Sequence, residues 1–465
     1  MTRTIKMKLI GLMNPDYQGD NNQVKGILQS ISEQSEQSFE SVSELSEAEW
    51  QDSKIEAFDW VIAAGDHGLR EAQKIKQQNP TIKILISAHM VFDAFKDVQH
   101  WPDMVVLPES AAHDKEIANL ISNHTKLCLT KGVPHTVNAH QIAEKAAAFQ
   151  EILPELTEDT NVVGIILGGD APTADQTIKL FTPKDAEIQA NKIIEYLKTD
   201  PSFDESTVIL VTNGPRTGKY NPETGVEWQE NPHKSGVVDA TSQHFIELLS
   251  HQLQNKIHFY DFQFEALKKG PSAYLPMMNI LAERKRGLWF VPAESTSMVT
   301  ESSYLASIGV KVVAYFPSST NEAHKAHVED FSRMSVVTPI YRSFQSTAPV
   351  SIKSSSAQVA EDWLNEMKKS ILQKYLDVSL MWMKAHASTC ALTIGAAVFS
   401  GIMAALVPLG FGLATSAMAA ASFSLVTSAS TFFVLRSDEK RETEKQQEMD
   451  YWHSKVEKNS LLRTV

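Results

Sequence analysis

The chain has 465 residues, of which 43% are hydrophobic and 21% are charged, and its formal net charge is −13. That length exceeds what one hydrophobic core usually holds, so we expect two or three domains. An acidic chain without basic blocks is a poor nucleic-acid binder, so we expect no nucleic-acid partner. Its two cysteines, Cys128 and Cys390, match no disulfide framework or zinc-ligand spacing and favour a reducing compartment. The stretch MTRTIKMKLIGLM is too interrupted by lysine for a signal peptide, and we interpret it as the first strand.

From residue 6 to about residue 316, short β-branched runs alternate with helix-like stretches, as is typical of parallel sheets flanked by helices. We predict about ten strands, which divide naturally into two sheets of five. The break falls near residues 152–160, where an Ala-rich helix ends in proline and acidic residues. The prediction is an α/β chain with two doubly wound, parallel-sheet domains, 1–155 and 156–340, that face a cleft. The predicted strands are KLIGLM, WVIAAG, KILISA, DMVVLP, KLCLT, NVVGIILGG, TVILVTN, KIHFYDF, GLWFVP and KVVAYFP.

The next segment, residues 341–384, is predicted to be a linker followed by an amphipathic helix that begins near residue 357. Val359, Trp363 and Met367 recur in it at helical spacing. Such a helix can pack on the first domain or lie at a membrane surface.

The stretch of residues 385–435 contains no Lys, Arg, Asp or Glu. A membrane-spanning helix needs roughly 20 apolar residues, so the stretch is long enough for two. Pro408 and the glycines beside it would break a helix, so we predict two apolar helices joined by a tight turn. Basic residues on both flanks indicate that both ends stay on the cytosolic side. We expect a membrane-anchoring hairpin, followed by a charged tail at 436–465; a buried helical hairpin in a soluble core is the alternative.

Two predicted strands of the second domain end in glycine-containing loops. The first ends in Gly168-Gly169-Asp170, where paired glycines allow a ligand or another backbone to approach closely. The second leads into a loop that carries Asn213, Arg216 and Thr217. This loop lacks phosphate-loop spacing, but Arg216 can bind a phosphate bidentately. A tight turn and a solvated arginine are the alternative interpretations.

The run GLWFVP stops at a polar stretch, Glu294-Ser295-Thr296-Ser297-Met298, that opens a predicted helix. Unpaired backbone N–H groups at a helix start favour an anion, and the hydroxyls can cap the helix or bind a phosphate. Glu301, farther along that helix, can accept hydrogen bonds from sugar hydroxyls. A well-capped helix with a surface glutamate is the alternative.

The first domain offers fewer candidates. Gln23 lies in a polar segment, GDNNQ, after the first strand, and His89 follows the strand KILISA. His89 can serve as a general base, although a lone histidine is more often structural. The sequence has no metal-ligand spacing and no Asp-x-Asp, which argues against a metal-dependent glycosyltransferase with a single sheet.

Taken in order, these motifs resemble the mitochondrial fission protein family of plant elongated-mitochondria type, which has many bacterial members. The resemblance runs from about residue 8 to 320. Four positions depart from the family pattern: Glu294 stands for an aspartate, Pro215 for an arginine, and Ser272-Ala273 for Asn-Pro. The similar segments are GDNNQVKGI, DWVIAAGDHG, WPDMVVLPES, LTKGVPHTV, GIILGG, VTNGPRTGK, GPSAYLPMMNIL and AESTSMVTESSYLASIGVKVVAYF.

The resemblance implies a GT-B fold, with a nucleotide-sugar cleft between the two domains. His89 and Glu301 are then the candidate catalytic residues. We expect no metal and no cofactor beyond the donor substrate. The residues expected to bind the nucleotide sugar are Gln23, Gly168, Gly169, Asn213, Arg216, Thr217, Glu294, Ser295, Thr296, Ser297, Met298 and Glu301.

These features favour a membrane-anchored glycosyltransferase that uses a nucleotide-diphosphate sugar without a metal. The alternative is a catalytically degenerate GT-B scaffold that binds and remodels an organelle membrane, and a nucleotide-sugar epimerase is a third hypothesis. Expected partners are the nucleotide sugar, a lipid membrane reached through residues 385–435, and a protein acceptor or organelle-fission partner. The expected location is membrane-associated with cytosolic domains. The composition also suits a bacterial effector acting at a host organelle membrane, of the mitochondrion or the endoplasmic reticulum.

Overall fold

The computed structural model describes residues 7–14, 17–35, 41–46, 58–113, 115–147, 154, 156–172, 177–228, 237–262, 272–343 and 352–369. Residues 1–364 form one compact unit that contains both main sheets, and residues 365–465 form a second unit. Of the second unit, only helical residues 365–369 are described.

The first sheet has six parallel strands in the order β2-β1-β3-β4-β5-β6. Its chain order reverses between β1 and β3, which places a topological switch point there. Two short 3₁₀ helices, Asp93–Asp97 and Glu109–His113, follow β4 and β5. The strands are β1 Lys8–Met13, β2 Ser41–Ser46, β3 Trp60–Ala64, β4 Lys83–Ser87, β5 Met104–Pro108 and β6 Lys126–Thr130. The helices are α1 Gln18–Gln34, α2 Gly65–Gln78, α3 Lys115–His124 and α4 Ala139–Ala147.

The second sheet also has six parallel strands, in the order β11-β10-β7-β12-β13-β14. Its switch point lies between β7 and β12. A two-stranded antiparallel pair, β8 Ala171–Pro172 and β9 Ile178–Lys179, follows β7. The sheet strands are β7 Val162–Ile166, β10 Val208–Thr212, β11 Ile257–Tyr260, β12 Leu288–Pro292, β13 Lys311–Tyr315 and β14 Thr338–Pro339. The helices are α5 Pro183–Thr199, α6 Ala240–Gln252, α7 Tyr274–Arg284, α8 Thr296–Glu301, α9 Ser303–Ser307 and α10 Glu322–Arg333.

The two central strands of the second sheet show why this sequence folds as it does. Every residue of β7 and β12 is buried, as expected for parallel strands covered by helices on both faces. Gly164 of β7 leaves the space that Trp289 of β12 fills, because a Cβ on the glycine would overlap the indole ring. The indole N–H donates to Ser302 Oγ at 2.9 Å, so the largest core side chain is also hydrogen-bonded.

The predicted α/β fold with parallel sheets is confirmed, and all ten predicted strands form. The expectation of five strands per sheet is wrong, since each main sheet has six. The two missed strands of the main sheets, β2 and β14, lie at sheet edges, and the short pair β8 and β9 was also missed. The sequence of β2, SVSELS, has no continuous apolar run, and β14 has only two residues. Edge strands need less apolar surface than central ones, so hydrophobic pattern finds them poorly. The predicted domain boundaries stay a prediction.

The segment after the second sheet returns to the first one. Residues 355–369 are helical and form α11. Its Val359 and Trp363 are fully buried, and the Trp363 ring lies edge-on to Trp60 of β3, with 5.6 Å between ring centroids. The sequence left two placements for this helix, on the first domain or at a membrane surface. The first part of the helix packs on the first sheet. The predicted hairpin at 385–435 and the tail lie outside the described residues. Among the residues that are described, no helix is both long and apolar enough to cross a membrane.

Candidate functional site

The switch point of the second sheet brings two predicted segments into direct contact. Glu294, two residues after β12, accepts a hydrogen bond at Oε1 from the Gly169 N–H at 2.7 Å. Gly168 and Gly169 are needed here for close approach. A Cβ built on Gly168 would lie 2.9 Å from Pro317 Cγ, and one built on Gly169 would lie 2.7 Å from Arg216 Cβ. Any larger residue at either position would push these loops apart.

Hydrogen bonds hold the backbone of the loop after β10 in place, and this loop carries the Arg216 side chain. Thr217 Oγ1 donates to the Gly168 carbonyl at 2.8 Å and accepts from the Gly214 N–H at 3.2 Å. The Asp170 N–H donates to the Arg216 carbonyl at 2.9 Å. The backbone of Arg216 is therefore held in place. Its guanidinium is half-buried and forms no ion pair with any residue that the structure describes.

Asn213 has a different environment from the one predicted for it. Its Nδ2 lies within hydrogen-bond distance of Asp239, Ser242 and Asp261, and its Oδ1 accepts from the Phe262 N–H at 2.6 Å. Both ends of the buried amide are engaged by the protein. In this structure Asn213 joins the loops after β10 and β11, with no free polar atom for a ligand.

Glu294 is the most unusual carboxyl group of the site. Burial raises its pKa to about 7, although the Arg216 charge and the Gly169 N–H act in the opposite direction. Its second oxygen, Oε2, is buried and has no hydrogen-bond partner among the described residues. Unsatisfied buried oxygens are rare and costly, and they are enriched at functional sites.

The polar stretch after β12 forms a short helix, α8, as predicted. Ser295 is its N-cap and accepts from the Met298 N–H at 3.4 Å. The Thr296 carbonyl accepts from Thr300 Oγ1 at 2.9 Å, inside the same helix. Because α8 has only six residues, its dipole is small, and the Arg216 charge has to carry most of any anion binding. Ser297 points towards α1, since a Cβ on Gly19 would lie 3.4 Å from its Oγ.

Glu301, at the end of α8, lies where the two sheets meet. Its side chain is buried, and burial raises its pKa to about 7, while Tyr274 and Asn22 act to lower it. Asn22 belongs to α1, so this carboxyl group of the second half faces a polar side chain of the first. A buried acid with a pKa near neutrality can either accept or donate a proton.

The first sheet has its own switch point, between β1 and β3, and this point lies opposite the loops that carry Arg216 and Glu294. Asp20 of α1 sits against Gly65, whose φ of +74° and missing side chain leave room for the carboxylate. Gln23 donates from Nε2 to Asp20 at 3.2 Å and accepts from Ser87 Oγ at 2.7 Å. Gln23 thus holds Asp20 in place, and Asp20 Oδ1 lies 4.0 Å from His89 Nδ1.

His89 lies across the cleft from Arg216. The His89 side chain keeps a quarter of its exposure, and burial together with the Arg216 charge lowers its pKa to about 4. The imidazole is therefore neutral at pH 7. The structure brings His89, Arg216, Glu294 and the two glycines to one rim between the sheets.

Sequence reasoning missed the loop after β13, which belongs to the same rim. Ser319 and Thr320 are buried there, and their hydroxyls have no partner among the described residues. His324 follows at the start of α10 and lies within electrostatic reach of both His89 and Arg216. The signal was available: FPSST follows the predicted strand KVVAYF at its carboxyl end, where ligands of open α/β sheets collect.

A separate cavity of about 320 Å³ lies between α1, the loop after β6 and α9. Gln29, His135 and Tyr304 are among its lining residues, and none of the predicted site residues lines it. Within the described residues, no group of His, Cys, Asp and Glu side chains is arranged to hold a metal ion.

The sequence profile described as "Mitochondrial fission ELM1" matches residues 18–251, half of the chain. The chain belongs to the mitochondrial fission ELM1 family. The ELM1 match contains Gln23, His89, Gly168, Gly169 and Arg216, whereas the segment from Glu294 to Glu301 lies beyond it. No curated protein is significantly similar to the chain in sequence.

Several solved structures resemble this ELM1-family chain at low identity. The Candida albicans trehalose-6-phosphate phosphatase N-terminal domain has 8% identity and a TM-score of 0.41, over 79% of this chain and 98% of that one. E. coli ADP-heptose LPS heptosyltransferase II has 10% identity and a TM-score of 0.34, over 79% and 100%. Acinetobacter baumannii MurG has 10% identity and a TM-score of 0.32, over 79% and 92%. At such scores these similarities carry no argument about function.

Proposed function

We propose that this chain is a GT-B-type glycosyltransferase that binds a nucleotide-diphosphate sugar between its two sheets and transfers the sugar without a metal. The observation that carries the proposal is the rim at the second switch point. There Arg216, which forms no ion pair with the described residues, lies beside a buried Glu294 whose Oε2 has no hydrogen-bond partner among them. Ligands of doubly wound sheets bind at such points.

In the proposed reaction an acceptor hydroxyl attacks the anomeric carbon of the sugar. The bond from that carbon to the diphosphate oxygen breaks, and the nucleoside diphosphate leaves with the electron pair. Arg216 stabilises the charge that develops on the leaving phosphate. Glu301, with a pKa of about 7, is one candidate base for the acceptor proton, and the neutral His89 is the other.

Nucleotide binding to the full chain tests the proposal. Calorimetry with UDP, ADP and GDP is expected to find at least one ligand, and Arg216→Ala is expected to weaken its binding by about 10- to 100-fold. Arg70→Ala is the matched control, because Arg70 lies on α2 and pairs with Asp66. If no nucleotide binds at millimolar concentration, the proposal is wrong.

Turnover is a second measurement. With a bound donor, Glu301→Gln is expected to retain affinity and lose nucleotide release in the presence of acceptor. The catalytically degenerate scaffold is supported by Pro215 and Ser272-Ala273, which depart from the family pattern near the rim. Binding without turnover of any nucleotide sugar would favour that scaffold, whose role would be to bind and remodel an organelle membrane.

The membrane role is proposed from the uncharged stretch 385–435. We infer that this stretch anchors the chain with both sheets on the cytosolic side, at an organelle membrane such as that of the mitochondrion or the endoplasmic reticulum. The acidic composition suits a bacterial effector delivered to a host cell, with a protein acceptor or a fission partner at that membrane. Deleting 385–435 should abolish flotation with liposomes and leave nucleotide binding unchanged.

A further inference from the structure

The loop after β13 is held in place by hydrogen bonds of its backbone and of Ser318, and two of its other hydroxyl groups make no hydrogen bond to the described residues. The Ser318 N–H donates to Asp185 Oδ2 at 2.7 Å, and the Thr320 N–H donates to the Pro317 carbonyl at 3.0 Å. Yet Ser319, 1% exposed, and Thr320, 7% exposed, have hydroxyls without a partner among the described residues. Buried hydroxyls nearly always find a hydrogen bond, so two adjacent exceptions call for a ligand.

His324 adds a nitrogen that is also unused. Its Nδ1 accepts from the Asn321 N–H at 3.2 Å, within the capping box of α10. A neutral imidazole that accepts at Nδ1 carries its proton at Nε2. Within the described part of the chain, no hydrogen bond is made by that Nε2–H. The ring is nonetheless buried.

His89 faces this group from the first sheet. Asp20 lies on its Nδ1 side at 4.0 Å, which leaves Nε2 as the nitrogen available to a ligand. Arg216 and His324 both lie within electrostatic reach of His89, and all three act on one another as like charges. Two histidines and one arginine, from both halves of the molecule, thus lie at one part of the rim within electrostatic reach of one another.

The other charged groups around this point are few. His327 of α10 lies within electrostatic reach of His89 and His324, and Lys179 of β9 lies within reach of His324. On the acidic side, Glu294 and Asp170 face Arg216, and burial raises the pKa of both, to about 7 and about 6. Two further carboxyl groups are engaged by the protein: Asp20 accepts from Gln23 Nε2, and Asp185 accepts from the Ser318 N–H and from Ser318 Oγ. The arrangement favours an anion that comes from outside the protein.

We propose that His89 and His324, together with Arg216 and the hydroxyls of Ser319 and Thr320, form one cradle for a phosphate group. The cradle rests on the proposed function, because it assigns to this point the phosphate of the bound nucleotide. It gives His89 the role of a charge partner for the leaving phosphate, in place of the general base. It also requires both sheets to contact the same phosphate, which couples ligand binding to their relative approach.

A phosphate in the cradle reverses the electrostatics of His89. It offsets the Arg216 charge and accepts a hydrogen bond from the His89 imidazolium, so it favours the protonated ring. His324 keeps Nδ1 as the acceptor for the Asn321 N–H and donates to the phosphate from its Nε2–H as a neutral ring. Burial and the neighbouring cations hold the pKa of His89 at about 4 and that of His324 well below its usual range. Anion binding is therefore accompanied by proton uptake, and affinity increases as the pH falls.

Sulfate is the probe, because it has the shape of phosphate and does not itself titrate near pH 6. Histidine ring NMR of the full chain, titrated with pH, is measured with and without sulfate. In saturating sulfate the pKa of His89 is expected to rise by about two, to roughly 6. Thr320→Val, which keeps the side-chain shape, and His89→Gln are each expected to weaken sulfate binding by about tenfold. His140→Gln, on the exposed side of α4, is the control and should change nothing.

UDP, ADP and GDP in place of sulfate separate this inference from the proposed function. If sulfate raises the His89 pKa and none of the three nucleotides binds, the cradle stands and the nucleotide proposal is wrong. If a nucleotide binds while neither His89 nor His324 responds, the nucleotide proposal stands and the cradle is wrong. No binding of sulfate at 50 mM, roughly the range for a weak single-anion site, would also overturn the cradle.

Discussion

Two pairs of buried hydroxyl groups in this molecule differ in what they bind. Ser355 and Ser356, 3% and 1% exposed, begin α11 where the chain returns to the first sheet. Ser356 Oγ lies 2.8 Å from the His135 N–H and 2.7 Å from the His135 carbonyl, and Ser355 accepts from the Gly132 N–H at 3.2 Å. Ser319 and Thr320 are buried to a similar degree, and their hydroxyls have no such partners within the ranges that the structure describes. Burial alone therefore does not separate a polar group that holds the fold together from one that is available to a ligand; the hydrogen bonds do.

The largest effect is expected at Trp363, which anchors the α11 region to the first sheet. Replacing this fully buried indole by alanine removes its contact with Trp60 and leaves a large cavity. Such changes cost about 3–5 kcal/mol. Thermal unfolding of Trp363→Ala should show a much lower midpoint. Trp228, which is 39% exposed, provides the control.

The comparison between the two hydroxyl pairs depends on this prediction. If Trp363→Ala and Trp228→Ala melt together at the wild-type temperature, the α11 region does not stabilise the first sheet. In that case the satisfied hydrogen bonds of Ser355 and Ser356 could not be called structural either.

An intermediate effect on the free energy of unfolding is expected at Glu294. This carboxyl group belongs to the candidate site, and its ionisation in a buried position is predicted to destabilise the fold. Its pKa is about 7 when folded and 4.5 when unfolded, so the folded chain binds more protons between those values. Stability then falls as the pH rises from 4.5 through 7, and the loss is complete above it. Glu294→Gln removes that loss and keeps an oxygen for the Gly169 N–H. We expect the variant to be more stable than wild type by about 1–3 kcal/mol at pH 8 and nearly equal at pH 5.

Unfolding midpoints measured from pH 5 to 8 check this prediction. A constant difference between variant and wild type across that range would show that Glu294 does not titrate as a buried acid. Two buried histidines have the opposite effect on the pH dependence of stability. Burial holds the pKa of His135 at about 4 and that of His327 at about 3, so the free energy of unfolding decreases as the pH falls below 6.5.

Much of the fold was predictable from sequence, because central parallel strands are continuous apolar runs and carry their own signal. The rim was predictable only where a loop carried an unusual residue type. Arg216 and the paired glycines stood out, whereas Ser319 and Thr320 did not, since hydroxyl residues are common in loops. Asn213 is the opposite case. The sequence suggested a side chain available to a ligand, whereas in the structure both ends of its amide are hydrogen-bonded by the protein. Whether a side chain has partners depends on segments far apart in the chain, here residues 213, 239 and 261, and no local pattern records that.

The smallest effect separates the two hydroxyl pairs directly. Ser356→Ala leaves the N–H and carbonyl of His135 without their partner, which should cost about 1–3 kcal/mol and lower the melting midpoint. Ser319→Ala removes a hydroxyl that makes no hydrogen bond to the described part of the chain, so stability should change by less than about 0.5 kcal/mol or rise slightly. Sulfate affinity should behave in the opposite way, weakened by Ser319→Ala and unchanged by Ser356→Ala. A serine that affected both properties equally would show that the rim loop is part of the fold's own hydrogen-bond network. The two measurements on two alanine variants thus assign each pair to packing or to binding without any knowledge of the natural ligand.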